Sequence, residues 1–424
     1  MNRRRSLTNI GGATFTSGDP ATAAKLAEAL DVRPAPAVPS RAPPSPELAS
    51  PAEGSDDADR AHVHGFHTYP ARMHPRTAAR LVTAVSAPGT TVLDPFCGSG
   101  TVLVEAMVAG RRAIGIDLNP LAVRLARLKT TPFEARDREV LVVSAREIAA
   151  FADARRVRRA GSTRRYPPED VAIFDPHVLL ELDSLRSAIS DRALTQPGLH
   201  LALELLLSAI LVKVSRQSSD TSEGSAPRRL AAGFTARLFA RKAEELAGRL
   251  AELAALMDPN VPPARIELDD ACRLKTVAAS TIDAIVTSPP YVATYDYLAH
   301  HALRMRWLAL DARAFSISEM GSRRRYGRLD PKAAREAWAH ELGTALRAMS
   351  RACRRGGRIA LVLADSAVEG VALRADAAVA SASDAAGLVV IARASQERPH
   401  FHGPTALAFR DRPRAEHAIV LEKR

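Results

Sequence analysis

Apolar and polar positions along this chain fall into two textures. From His62 onward the pattern alternates between strand and helix. Pro75–Val85 carries Ala78, Leu81, Val82 and Val85 on one face, which predicts a helix. Thr91–Asp94 is a short apolar run that ends in an acid and leads through glycines into a helix reaching Ala109. Arg112–Asp117 repeats the strand signal and Pro120–Lys129 the helical one. This order predicts a parallel sheet with right-handed crossovers. The alternation then stops. Residues 140–261 read as helices, at Pro176–Asp191, Leu199–Ser215 and Arg228–Met257, with a polar loop over Arg216–Ser225. Strand texture returns at Ala264–Leu268, Ile282–Thr287, Arg358–Leu363, Gly387–Ile391 and Ala418–Leu421.

Residues 1–60 have neither texture. They are rich in Pro, Ala and Ser, as in Arg33-Pro34-Ala35-Pro36. Such a stretch buries too little apolar area to offset its ordering entropy, so a mostly disordered tail is expected, with a short helix at Ala21–Leu30 as its one candidate element. The chain thus divides into a tail (1–60), a first α/β part (61–139), a helical insertion (140–261) and a second α/β part (262–424).

Composition changes this picture little. Of 424 residues 46% are hydrophobic and 25% charged, the balance of a soluble globular protein. The most apolar run, Leu199–Val214, carries His200, Glu204 and Lys213, and is short of the roughly 20 residues a membrane span needs. A cytoplasmic location is expected. Three cysteines in this length exclude a disulfide scaffold. The net charge of +12 invites a polyanion partner. Arginine outnumbers lysine so heavily, beside abundant alanine, that compositional drift explains the charge equally well.

Three strings carry chemistry. In Leu93-Asp94-Pro95-Phe96-Cys97-Gly98-Ser99-Gly100-Thr101 a strand ends in an acid, and glycines turn the backbone beneath a helix N-terminus. That suits a nucleotide-like ligand at the carboxyl end of a sheet. It is neither a Walker loop nor a dinucleotide fingerprint. Asp117, ending the second strand before Leu118-Asn119-Pro120, can accept from two ribose hydroxyls; Asn119 is the better helix cap. In Ser288-Pro289-Pro290-Tyr291 two prolines after a strand fix a rigid extended turn and remove two amide donors, leaving carbonyls to accept from a substrate amine. Tyr291 offers a flat face to a base. The cluster His62, His64, His67 and His74 matches no zinc spacing, and no metal is expected.

The glycine string together with Ser-Pro-Pro-Tyr resembles the amino-methyltransferases that use S-adenosylmethionine, and most the DNA cytosine-N4 branch. Phe66 to Pro75, including Tyr69, Pro70 and Met73, resembles the segment that helps hold the cofactor's methionine end. Leu268-Asp269-Asp270-Ala271 looks like the turn that meets adenine, with Asp270 and Ala271 best aligned. The resemblance implies an α/β fold with a Rossmann-like seven-strand methyltransferase sheet. It implies a cofactor site of Tyr69, Pro70, Met73, Asp94, Pro95, Phe96, Gly98, Gly100, Thr101, Asp117, Leu118, Asp270 and Ala271, and a catalytic turn of Ser288, Pro289, Pro290 and Tyr291. It further implies in-line attack by the exocyclic N4 amine of a cytosine in DNA, with a cognate restriction endonuclease as a potential partner. RNA guanine-N2 and DNA adenine-N6 transfer are the alternatives. Carbon-5 chemistry needs a nucleophilic cysteine, usually after proline, and none of Cys97, Cys272 and Cys353 follows one. Nucleic-acid contact is assigned to Arg216, Arg228 and Arg229 of the insertion and to Arg323, Arg324 and Arg325 after the catalytic turn.

Overall fold

A computed structural model describes residues 11–32, 57–192, 197–217, 229–398 and 406–424. Its strands are β1 (Thr14–Gly18), β2 (Thr91–Asp94), β3 (Arg112–Asp117), β4 (Arg265–Leu268), β5 (Ile282–Thr287), β6 (Cys353–Ala364), β7 (Ser366–Val368), β8 (Val371–Leu373), β9 (Leu388–Glu397) and β10 (Ala415–Lys423). Eight form one sheet in the order β1-β9-β10-β6-β5-β2-β3-β4, and β7 pairs with β8 in a separate hairpin. Strands β4, β3, β2, β5 and β6 run parallel, whereas β10 is antiparallel to both β6 and β9. This is the Rossmann-like methyltransferase sheet expected, with one strand more than seven.

The extra strand corrects the reading of a mostly disordered tail for residues 11–32; residues 1–10 and 33–56 of that tail lie outside the described residues. β1 pairs antiparallel with β9, and helix Pro20–Leu30 buries Ala23, Leu26, Ala29 and Leu30. Asp19 caps that helix by accepting from the Thr22 amide at 2.8 Å, and Pro20 occupies its first turn. The eleven-residue helix lies where the candidate Ala21–Leu30 was expected, whereas β1 was not expected. β1 itself is exposed and carries no apolar alternation; its order comes from the edge of β9.

Successive strand residues enter opposite cores, as the two-residue strand period demands. Val92, Ala284, Val286 and Ala360 pack under the helices Pro75–Val85 and Thr101–Val108; Leu93, Ile285, Ile359 and Leu361 pack under Pro331–Ala352. Residues 218–225 of the expected loop in segment 140–261 lie outside the described residues. The segment holds the helices Pro168–Ile173, Pro176–Ser190, Pro197–Val214 and Phe234–Leu256, and helix Ala135–Val157 crosses its start. Its core, including Leu141, Leu182, Leu206 and Phe239, is continuous with Leu121, Leu125 and Leu128 of helix Pro120–Thr130 and with Trp307. Arg306 donates its Nε to Asp170 at 3.1 Å, and His67 Nε2 lies 3.0 Å from Ser208 Oγ, so polar bonds also tie the insertion to segments beside the site.

Candidate active site

β2 and β5 are neighbours at the centre of the sheet, and the chain leaves them toward opposite edges. At such a switch point the loops after the carboxyl ends diverge and open a crevice. Here the crevice encloses about 900 Å³, open mouth included. The glycine loop forms its floor. Gly98 (φ 51°) and Gly100 (φ 86°) adopt the left-handed conformation that glycine tolerates best. A Cβ on Gly98 would lie 3.2 Å from the Tyr69 ring, and one on Gly100 would lie 3.1 Å from Ala126 of the next helix. Gly100 also precedes helix Thr101–Val108, whose first-turn residues Thr101 and Val102 line the crevice.

Two carboxylates hold the loop, Asp94 buried and Asp117 partly buried. Asp117 accepts from the Gly98 amide through one oxygen and from the Asn119 amide through the other, each at 2.8 Å. Asp94 accepts from the Thr287 hydroxyl at 2.6 Å and from the Phe96 amide at 3.1 Å. The Thr287 bond joins the glycine loop to the strand that feeds the Ser288–Tyr291 turn. Burial pushes both acids up, Asp94 to about 7 and Asp117 to about 6, against the lowering effect of these hydrogen bonds.

The folded state therefore binds a proton at Asp94 more tightly than the unfolded chain does. Stability falls as pH rises from about 4, the unfolded carboxylate value, through about 7, and stays reduced above it. Asp94→Asn keeps an acceptor for Thr287 and Phe96 but carries no charge. We expect it to stabilise the fold at pH 8 by roughly 2–4 kcal/mol, the gain vanishing near pH 4. Urea unfolding at both pH values measures this, and equal stability of the two proteins at pH 8 would refute it.

The site residues expected from sequence separate by position. Tyr69, Met73, Asp94, Pro95, Phe96, Gly98, Thr101, Asp117, Leu118, Asp270, Ala271, Ser288 and Pro290 line the crevice. Pro70 and Gly100 do not line it, Gly100 acting beneath the loop. Asp270 faces it, while the adjacent Asp269 accepts from the amide and hydroxyl of Thr276. Pro289 and Tyr291 line a second cavity of about 1130 Å³, open mouth included, which shares Tyr69, Met73, Ser288 and Tyr297 with the crevice. Ser288 thus stands where the two meet.

Other contributors were not legible beforehand. Arg72 lines both cavities and donates to the His64 and Asp59 carbonyls. Phe315, Glu319 and Met320 close the crevice from the segment after the turn, and Glu319 accepts from the Tyr297 amide at 2.6 Å. Behind the loop, fully buried Lys129 donates to Ser99 Oγ at 3.2 Å. Of the histidines singled out from the sequence, His62 and His64 come together with Glu105, the member not foreseen, and His64 Nε2 is 2.7 Å from its carboxylate. Burial lowers both imidazoles and raises Glu105 to about 7.

The arginines assigned to nucleic acid lie outside both cavities among the described residues. Arg216 is bound within the insertion, its Nε donating to Asp175 at 3.1 Å and its backbone amide to Ile173. Arg229 is exposed, and Arg228 lies outside the described residues. Arg323, Arg324 and Arg325 are the exposed residues of a short helix whose last residue, Tyr326, is fully buried. Arg325 pairs with Glu341, whereas Arg324 borders a surface groove with Arg325 and Arg328.

This donor set fits S-adenosylmethionine. Asp117 keeps a lone pair on each oxygen for a ribose diol, Phe96, Leu118 and Ala271 offer apolar contact to a base, and the buried Thr101 hydroxyl has no partner among the described residues. Comparison with known proteins agrees. Residues 45–128 match the DNA methylase family model for N6 and N4 transfer. The match takes in the Tyr69–Met73 segment, the glycine loop and Asp117, and ends before the Ser288–Tyr291 turn. The chain is 42% identical over 75 residues to the Type II methyltransferase M.MvaI of Kocuria varians, covering 17% of this chain and 16% of the relative. It is 36% identical over 73 residues to M.MjaII of Methanocaldococcus jannaschii, covering 17% and 14%. A tRNA (guanine(10)-N2)-dimethyltransferase of Methanothermobacter thermautotrophicus shares 36% over 91 residues, covering 21% and 26%. The likeness therefore spans about a quarter or less of each relative's length. No helix among the described residues is long and apolar enough to cross a membrane.

Proposed function

We propose that this protein methylates the exocyclic N4 amine of cytosine in DNA by direct in-line displacement, using S-adenosylmethionine. One observation carries the reading: Ser288 lies at the junction of a crevice fitted to the cofactor and a second cavity lined by Pro289, Tyr291, Tyr295 and Tyr297. The cofactor, when bound, supplies an electrophilic sulfonium methyl. The protein's task is positioning and charge stabilisation. The Ser288 hydroxyl and Pro289 carbonyl accept the amine's hydrogens, orient its lone pair toward the crevice and stabilise the positive charge that develops on nitrogen. Tyr291 contacts a base turned out of the helix. Asp117 anchors the ribose and Asp270 with Ala271 meets the adenine. No cysteine nucleophile takes part; burial raises the Cys97 thiol well above its usual range.

Guanine-N2 transfer on RNA is the second reading, supported by the 36% identity to the tRNA enzyme over its matching segment. Ser288 at the head of the turn favours cytosine. The test is tritiated methyl transfer to DNA and to RNA in parallel, followed by nucleoside mass spectrometry. N4-methylcytosine in DNA is the expected product. N2-methylguanosine in RNA, or N6-methyladenine in DNA, would replace this reading by one of its rivals.

A further inference from the structure

Two histidines meet a carboxylate that the proposed reaction leaves unused. His62 and His64 stand in the short turn His62–Gly65, and Glu105 in helix Thr101–Val108, which follows the glycine loop. One donor atom from each lies within 4.8 Å of the other two. His64 Nε2 is 2.7 Å from Glu105 Oε1, and the two imidazole rings lie 4.6 Å apart, centre to centre. His62 is 8% exposed and His64 1%. Nδ1 of each ring is buried and has no hydrogen-bond partner among the described residues. The turn is held by its carbonyls: Arg249 donates to that of His62 at 2.8 Å, and Arg72 to that of His64. His62 keeps φ at 33°, a left-handed conformation that a residue with a Cβ adopts only at a cost.

Buried polar atoms are normally satisfied, so two orphan imidazole nitrogens beside one carboxylate call for a partner. A second buried cluster, Asp365, Asp376 and His417, gives the contrast. There Arg374 donates to Asp365, Arg393 and Arg412 donate to Asp376, and His417 Nδ1 meets Ser395 Oγ, so protein groups already fill it. Glu105 receives no arginine or lysine among the described residues. Neutral imidazole nitrogens and a carboxylate oxygen are ligands that borderline divalent metals take, and burial favours the neutral rings. Tetrahedral bonds of about 2.0–2.1 Å set ligand atoms roughly 3.3 Å apart, so small side-chain rotations would close the set.

We propose that His62, His64 and Glu105 bind a divalent metal ion of the zinc class, with water completing the coordination. The three residues lie outside both cavities, so the ion takes no part in methyl transfer. It ties the turn that leads to Tyr69 and Met73 to the helix behind the glycine loop. Histidine spacing did not reveal the site because the third ligand comes 41 residues after His64, from another helix. The proposal requires nothing of the methyl-transfer reading.

The full chain, stripped with a chelator, should bind about one equivalent of Zn²⁺ and melt about 5 °C higher with the ion than without it. Glu105→Gln keeps size and a hydrogen bond to His64 but removes the anionic ligand, and His62→Gln removes one imidazole. Each should weaken Zn²⁺ binding about 100-fold or more and abolish the thermal shift. No Zn²⁺-dependent shift in the wild type, or an undiminished one in either variant, would overturn the proposal. Should the variants fold poorly, X-ray absorption of the Zn²⁺-loaded wild type decides instead. A shell of nitrogen and oxygen that includes two imidazoles is expected, whereas sulfur in that shell would place the ion on cysteine and sink the idea.

Discussion

Asp117→Ala should weaken binding of S-adenosylmethionine and S-adenosylhomocysteine by about 100-fold or more, with each ribose hydrogen bond to the carboxylate contributing about 1.5–3 kcal/mol. The loss has two sources. The ribose loses its acceptor, and the Gly98 and Asn119 amides lose theirs, so the glycine loop is no longer held in its left-handed turn. Asn is no remedy, since its amide nitrogen would face one of those N–H donors. The same carboxylate gives the wild type a pH signature. Burial raises Asp117 to about 6, and binding requires the ionised form, so affinity should fall as pH drops through about 6. Calorimetric titration with S-adenosylhomocysteine between pH 5 and 8 measures both effects. The variant should lack the step near 6, retaining only what Asp94 contributes near 7. Wild-type affinity in Asp117→Ala would remove Asp117 from the cofactor site.

Ser288→Ala should behave in the opposite way. Methyl transfer should fall about 100- to 1000-fold, the range for losing one preorganised group that acts on developing charge. Cofactor affinity should stay within about threefold, because the crevice keeps Asp94, Asp117, the glycine loop and Asp270. Single-turnover rates with saturating cofactor, paired with equilibrium binding, separate the two quantities. A variant that binds cofactor poorly yet transfers at a normal rate once saturated would show that Ser288 serves the crevice alone. Together the two substitutions dissect the site along its geometry, since Asp117 sits deep in the crevice and Ser288 at its junction with the second cavity.

Local chemistry was legible wherever it was contiguous. Strands β2, β3 and β5 and helix Pro75–Val85 lie where the apolar pattern predicts, because each is bounded by its own stop signal: an acid, a glycine or a proline pair. The later strands were underestimated. β9 runs Leu388–Glu397 rather than ending at Ile391, since its polar second half is ordered by pairing with β1 and β10 and not by its own apolarity. Among the arginines, charge alone did not distinguish Arg216, occupied by Asp175, from Arg324, which borders an open groove.

The sequence by itself determined the two loops of the site and the strands that carry them, because turn chemistry and strand burial are written within a few consecutive residues. Only the tertiary structure decided what those loops meet. Thr287 reaches Asp94 across 193 residues because β2 and β5 pair at the centre of the sheet. The N-terminal helix is ordered because its apolar face finds a partner on the sheet, and its Leu30 carbonyl thereby accepts from Arg398, which also donates to Glu416, the acceptor of the Tyr291 hydroxyl. Pairing and burial between distant segments are set by the free energy of the whole fold, and no local pattern of hydrophobic and polar residues records which partner is chosen.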